Sequence, residues 1–146
     1  MPLSHLAIER IAAVFHGYKT HISQEFAAAG VQGPPIQLRV LRLIQQLSPC
    51  TGQMLATEMK RDKAQITRLL QEMKTNGLVQ QVPNPADKRS QLLEITATGQ
   101  QTMVTMIAAD DRVLAKLSAL LTDEESKSLM ATLEKLDDAL NRSSLV

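Results

Sequence analysis

The sequence predicts a mainly α-helical protein with one small β-hairpin, and three observations support this fold class. Apolar residues recur at intervals of three or four over most of the chain, which is the period of an amphipathic helix. Residues 78–95 depart from this period, because two short strand-like runs there flank a segment rich in turn formers. The 146 residues are 44% hydrophobic and 21% charged, which is typical of a soluble folded protein, and we expect a single domain over residues 1–146.

Glycines and prolines bound the first two predicted helices. An apolar stripe predicts a helix over residues 3–28, and two glycines shortly after it terminate the pattern. The prolines at 34–35 suit the first turn of a second helix, which the apolar pattern extends over residues 36–47. These two helices precede the most polar and basic part of the chain.

Two shorter helices are predicted next, over residues 53–59 and 63–75. Asp62 has the chemistry of an N-cap, and Gln65 stands where the reciprocal partner of a capping box is expected. Gly77 stands where a left-handed C-cap is needed. The side chains expected to face inward from the two helices are Leu55, Ala56, Met59, Ile66, Leu69, Leu70 and Met73.

A hairpin and two further helices complete the prediction. Residues 78–82 and 91–95 are expected to form its strands, with a charged tip between them. Thr96 is expected to cap a long helix, and the capping box at 122–125 to begin a last helix. The last helix carries leucines at near-heptad spacing: Leu129, Leu133, Leu136 and Leu140.

The end helices carry more apolar surface than the small central unit can cover. A monomer would leave that surface in water, so the pattern predicts a homodimer that pairs through residues 3–30 and 97–142, with the core at 36–96. The alternative, that these helices pack only within one chain, stays open.

The outward side of the helix over 63–75 carries groups suited to the edges of base pairs. Arg68 can form a bidentate pair with guanine, Gln65 or Gln71 can pair with adenine, and Ala64 permits close approach. Lys63 is better placed for phosphate. An ordinary polar surface is the alternative for such a helix by itself. The candidate DNA-binding residues of this helix are Lys63, Ala64, Gln65, Thr67, Arg68 and Gln71.

The tip of the hairpin adds a second candidate element, Asp87-Lys88-Arg89. An arginine on a two-stranded ribbon can enter a minor groove, and Asp87 could orient the guanidinium of Arg89 by a charge-assisted hydrogen bond. Residues 50–90 hold seven basic side chains against four acidic ones, a net charge of +3, while the remainder holds nine against eleven, a net charge of −2. A solvated turn remains the alternative for the hairpin tip taken alone.

In combination, these residues resemble the winged helix-turn-helix core of the MarR family of bacterial regulators. The motifs that carry the resemblance are Leu55-Ala56, Ile66-Thr67-Arg68, Gly77-Leu78-Val79, Asp87-x-Arg89 and Ile95-Thr96-x-x-Gly99. The resemblance implies N- and C-terminal dimerisation helices, double-stranded DNA with a palindromic operator as partner, and repression relieved by a small phenolic or anionic effector. Lys60 departs from the family, which often has glycine at this turn.

Other classes of site have little support in the sequence. The single cysteine, Cys50, excludes an intramolecular disulfide and favours a reducing cytoplasm, and we expect it to be buried rather than redox-active. His5, His16 and His21 are spaced too irregularly for a zinc site, although His16 or His21 could line a ligand pocket.

No cofactor, metal, membrane span or catalytic residue is expected. The chain contains no phosphate-binding loop, dinucleotide fingerprint or nucleophile elbow. The adjacent pairs Asp110-Asp111 and Asp137-Asp138 are expected to be solvated charges. Two rival functions remain: a winged-helix module that binds another protein without DNA, and an enzyme of small scope.

Overall fold

The computed structural model describes residues 1–141, and its elements follow the predicted order. The helices are α1 (His5–Ala28), α2 (Ile36–Gln46), α3 (Gly52–Met59), α4 (Lys63–Thr75), α5 (Ala97–Ser118) and α6 (Asp123–Asn141), and the strands are β1 (Cys50–Thr51), β2 (Val79–Pro83) and β3 (Gln91–Ile95). The bounds differ from the predicted ones by one or two residues, as helix ends usually do. Arg142, the last residue of the predicted dimerisation segment, lies outside the described residues.

The chain forms two compact units, and the first extends from Met1 to Asp110. It contains a three-stranded antiparallel sheet in the order β1-β3-β2. The predicted hairpin is present, with Val79 opposite Ile95 and Pro83 opposite Gln91. β1 was not predicted, because two residues are too few to show strand alternation; Cys50 pairs with Leu93 in it.

The core of the first unit is formed by the apolar faces of its helices and strands. Phe26 of α1, Leu41 of α2 and Met106 of α5 are among its largest fully buried side chains. The predicted inward residues of α3 are all buried, whereas Leu69 of α4 is only partly buried. This packing orients α4, because its opposite side cannot turn inward without exposing the buried one.

The turn between α3 and α4 is fixed by local hydrogen bonds. Asp62 is the N-cap of α4, and its Oδ1 accepts the Gln65 backbone N–H at 2.8 Å. No described hydrogen bond returns from the Gln65 side chain to Asp62, so only half of the expected capping box forms and the amide stays available. Lys60 adopts the left-handed conformation, with φ 52 and ψ 44. The geometry that glycine usually supplies at this turn is therefore present with a lysine in place.

The junction between the sheet and α5 is unusually close. Thr96 caps α5 as predicted, with its Oγ1 accepting the Gly99 N–H at 2.9 Å, and it also donates that hydroxyl to the Gly77 carbonyl. Its own N–H donates to the Leu78 carbonyl at 3.1 Å. A Cβ atom on Gly99 would lie 2.0 Å from that carbonyl oxygen, so only glycine fits there.

The second unit begins at Asp111 and includes α6. The capping box at its start is confirmed: Thr122 N–H donates to Glu125 Oε2 at 2.8 Å, and Glu125 N–H donates to Thr122 Oγ1 at 3.1 Å. No residue of α6 is buried, and Leu140 is 67% exposed. The apolar stripe of α6 is therefore largely exposed in the described chain.

The apolar stripe of α1 is covered only in its second half. Ile22 and Phe26 are buried, whereas Ile8, Ile11 and Phe15 are between 43% and 58% exposed. Among residues 1–141 no helix combines the length and the apolar character that crossing a membrane requires.

Candidate nucleic-acid interface

The exposed side of α4 brings the six predicted residues together on one helix. All six are solvent-exposed, from Lys63 at the first position to Gln71 in the third turn. An open depression runs along this side, lined by Lys63, Ala64, Thr67, Arg68, Gln71 and Glu72. Because Ala64 presents only a methyl group between longer polar side chains, the depression can admit a flat surface such as the edge of a base pair.

Burial of the opposite side holds this surface outward. Ile66 is 2% exposed and Met73 is fully buried, and Leu70 between them is also buried. The Thr67 hydroxyl donates to the Lys63 carbonyl at 2.8 Å, so its proton is used within the helix while its oxygen can still accept a hydrogen bond. The exposed side of α4 therefore presents polar side chains on a helix whose orientation is fixed by its buried side.

Glu72 is an acidic member of this depression that the sequence analysis did not select. Its position follows Gln71 directly, and a carboxylate repels phosphate. The periodicity of α4 could have identified it, because Glu72 lies one turn beyond Arg68 on the same side of the helix.

The hairpin tip is ordered by its own side chains. Asn84 Oδ1 accepts the Ala86 N–H at 3.0 Å, and Asn84 Nδ2 donates to Ser90 Oγ at 2.8 Å. The predicted contact between Asp87 and the Arg89 guanidinium is wrong: Asp87 Oδ1 instead accepts the Arg89 backbone N–H at 2.9 Å. The carboxylate orders the turn, and the Lys88 and Arg89 side chains remain exposed.

A partly buried polar cluster joins three helices at a position where a solvated acid was expected. Asp110 of α5 is 3% exposed, which corrects the prediction that it is solvated. Its Oδ1 accepts the Tyr18 hydroxyl of α1, and its Oδ2 lies 3.3 Å from Arg42 Nη2 of α2. Burial, and then the hydrogen bond and the charge of Asp110, raise the pKa of Tyr18, so Tyr18 stays a protonated donor.

The helical period contains a signal for this burial. Asp110 continues the buried series Met103, Met106 and Val113 at intervals of three and four. An acid within an apolar stripe indicates a buried partner, whereas the neighbouring Asp111 falls outside the stripe and is exposed.

Cys50 and the histidines form no metal site in the part of the chain described, and a role of His16 or His21 in a ligand pocket stays a prediction. Cys50 is fully buried, and this burial raises the pKa of its thiol, which keeps it protonated and unreactive. Within residues 1–141 no group of three histidine, cysteine, aspartate or glutamate side chains is placed to hold a metal ion.

The comparisons with known proteins agree with this geometry. HosA, a transcriptional regulator of Escherichia coli O111:H-, is 31% identical over 77 residues, which span 53% of this chain and 57% of HosA. The chain thus covers little more than half of that relative. YsmB of Bacillus subtilis strain 168, an uncharacterised regulator of the helix-turn-helix type, is 26% identical over 97% of both chains.

Solved structures share the fold at lower identity. A cysteine-to-serine mutant of Escherichia coli MarR in complex with operator DNA superposes with a TM-score of 0.79 at 23% identity, covering 88% of this chain and 91% of its own. The organohalide-sensing regulator RdhR with bound 2,4-dichlorophenol gives 0.83 at 20% identity, covering 94% and 81%. At these identities the likeness establishes the fold alone.

The fold and the paired elements define a winged helix-turn-helix protein, with α4 as the exposed second helix and the β2–β3 hairpin as the wing. Residues 30–90 match the model of the MarR family. The match lies within the first unit and contains α2, α3 and α4.

Proposed function

We propose that this protein is a sequence-specific, double-stranded DNA-binding transcriptional regulator rather than an enzyme, and that it acts in the cytoplasm as a homodimeric repressor released by a small-molecule ligand. The observation that carries the proposal is the exposed polar side of α4, held outward by its buried opposite side and accompanied by an exposed basic hairpin tip.

Each α4 enters a major groove of a palindromic operator, with half-sites about one helical turn apart. Arg68 contacts guanine, and the amides of Gln65 and Gln71 contact adenine. The unused amide of Gln65 is consistent with this role. Lys63 contacts phosphate.

The wing contacts the neighbouring backbone and minor groove through Lys88 and Arg89, while Asp87 holds the turn in shape. The hydrogen bond from the Arg89 N–H to Asp87 fixes the backbone at the position from which the Arg89 side chain extends. Narrow minor grooves concentrate negative potential, which favours a guanidinium there.

A second copy of the chain supplies the other half-site. The uncovered leucines of α6 and the exposed apolar residues at the start of α1 support this, because such surfaces in water favour association with a copy of themselves. Pairing two basic cores also doubles the positive charge offered to one duplex.

A small phenolic or anionic effector reverses DNA binding. The RdhR structure holds 2,4-dichlorophenol, and in this chain Arg42 offers a guanidinium that is 42% exposed beside the buried Asp110. Titrating the protein–operator complex with 2,4-dichlorophenol tests this part of the proposal, and DNA release is the expected result.

Mutation of Arg68 tests the assignment of the DNA-reading residues. A duplex selected from a random pool by the wild-type protein, and an unselected duplex of the same length, are titrated by fluorescence anisotropy. Arg68→Ala should weaken binding to the selected duplex by about 1–3 kcal/mol and relax sequence preference, because a bidentate base contact is lost. Lys63→Gln should weaken binding to both duplexes and flatten the dependence on salt.

Lys135→Gln is the matched control, since Lys135 is an exposed cation on α6 and is not part of the proposed DNA-binding surface. It should leave both affinities unchanged. If the wild-type protein binds neither duplex, or if Arg68→Ala and Arg89→Ala both retain wild-type affinity, the proposed function is wrong and a protein-binding module becomes the better hypothesis.

A further inference from the structure

In the turn between α3 and α4, Lys60 adopts a left-handed backbone conformation that is energetically unfavourable for lysine. Among residues 1–141, Lys60 is the one non-glycine residue with a positive φ. A Cβ atom makes the left-handed region unfavourable, and glycine escapes this cost. The other positive φ angles in the described chain belong to Gly30, Gly33 and Gly77.

The conformation itself is imposed by the end of α3. The Arg61 N–H donates to the Ala56 carbonyl at 3.1 Å, and the Lys60 N–H to the Thr57 carbonyl at 3.3 Å. This pair of bonds is the Schellman arrangement, which places a left-handed residue directly after the helix. The backbone therefore needs the conformation, but it does not need a lysine side chain.

No polar contact among residues 1–141 accounts for the lysine either. Lys60 is exposed, and no hydrogen bond or ion pair joins its ammonium group to any described residue. A strained residue without an internal partner suggests a role outside the folded chain.

The surroundings of Lys60 indicate what that role is. Arg61 is exposed beside it, and Lys63 begins α4 three positions later. Asp62, the acid among them, has one carboxylate oxygen engaged by the Gln65 N–H. Three basic side chains thus lie at or just before the N-terminal end of α4. This is the end that enters the groove, close to the phosphate groups of the duplex.

We propose that Lys60 is a phosphate-backbone contact that anchors the start of α4 on the duplex without reading sequence, and that this contact is the reason a lysine occupies a position suited to glycine. This inference rests on the proposed function, because it requires that α4 enters DNA.

The experiment compares Lys60→Gly, Lys60→Asn and Lys60→Arg in the full-length protein. Glycine and asparagine both tolerate the left-handed conformation and remove the charge, whereas arginine keeps the charge. Affinity for an unselected duplex is measured across a series of salt concentrations, and thermal unfolding of each variant is followed in parallel.

Lys60→Gly and Lys60→Asn should bind several-fold more weakly at moderate salt. Each phosphate contact contributes about 0.9 to the slope of log affinity against log salt, so the loss of one per subunit should reduce the slope of a dimer by about 2. Lys60→Arg should retain the wild-type slope. Lys60→Gly should be at least as stable as the wild type, so weaker binding cannot be attributed to unfolding.

The outcomes separate this inference from the proposed function. A wild-type slope in Lys60→Gly and Lys60→Asn, together with loss of sequence preference in Arg68→Ala, overturns the Lys60 contact and leaves the regulator intact. Failure of the wild-type protein to bind any duplex overturns both. Lys135→Gln again provides the control for removal of a cation elsewhere.

Discussion

At the scale of single residues, the buried Asp110 carboxylate depends for its stability on two hydrogen-bond partners. Its acceptance of the Tyr18 hydroxyl and its proximity to Arg42 connect three helices of the first unit. A buried carboxylate that loses such partners is strongly unfavourable, whereas the Arg42 end of the pair is weakened by its contact with solvent. The Tyr18 hydrogen bond is therefore the more valuable of the two contacts.

Titration of Tyr18 tests this cluster directly. The chain has one tyrosine and no tryptophan, so tyrosinate absorbance reports Tyr18 alone. The pKa of Tyr18 is raised in the folded state, so we expect its titration midpoint in the native protein to lie above that of the protein in urea. Since the folded pKa exceeds the unfolded one, the stability that Tyr18 contributes is present below about pH 10 and is lost as the pH rises further.

Asp110→Asn should lower the native midpoint of Tyr18, because it removes the carboxylate charge while leaving the burial of Tyr18 largely in place. It should also reduce the free energy of unfolding by about 1–3 kcal/mol. Asp111→Asn is the matched control at the adjacent exposed position and should change stability by less than about 0.5 kcal/mol. Equal titration curves for the two variants would contradict the role assigned to Asp110.

At the scale of elements, the bounds of helices could be predicted from the sequence because local chemistry marks them. The predicted caps are present: Asp62 caps the start of α4, Gly77 has a positive φ after its end, and Thr96 caps α5. The bounds of α4 are also those predicted. β1 could not be predicted, because two residues carry no period and its partner β3 lies some forty positions later in the chain. The burial of Asp110 was missed because its partners are 92 and 68 positions distant.

The wing depends on the close approach of α5 to the Leu78 carbonyl, which Gly99 permits. Gly99→Ala should therefore reduce the free energy of unfolding by about 1–3 kcal/mol, measured by urea denaturation, because a methyl group would overlap that oxygen. Gly52→Ala is the matched control, since its methyl group would meet only Leu70 Cδ1 at an ordinary 3.6 Å. It should change stability by no more than about 0.5 kcal/mol. Equal effects of the two substitutions would show that the junction tolerates a side chain.

At the scale of the whole molecule, the sequence predicted association but not its extent along each helix. The stripe of α1 divides into an exposed first half and a buried second half, with Tyr18 half-buried between them. Periodicity cannot separate the two halves, because burial in the chain's own core and burial in a partner require the same apolar spacing. The sequence also cannot identify the exposed side chains that contact bases, because these contacts depend on the shape and sequence of the bound DNA.

A substitution in the apolar stripe of α6 tests whether the protein is a homodimer. Leu133→Glu should weaken self-association at least about a hundredfold, because each dimer would lose two buried leucines and gain two acids in an apolar contact. Sedimentation at several concentrations measures this, with a dimer expected for the wild type. Lys135→Glu, an exposed substitution on the same helix, should remain dimeric, and a monomeric wild type would exclude the dimer.

The Thr96 side chain connects the end of α4 to the start of α5. Its hydroxyl group donates to the carbonyl of Gly77, the second residue after the end of α4, and the same oxygen accepts the Gly99 N–H in the first turn of α5. Gly99 adds a close approach of the first turn of α5 to the Leu78 carbonyl. A displacement of the start of α5 would therefore have to break the hydrogen bond from Thr96 to Gly77 or move the residues that follow α4.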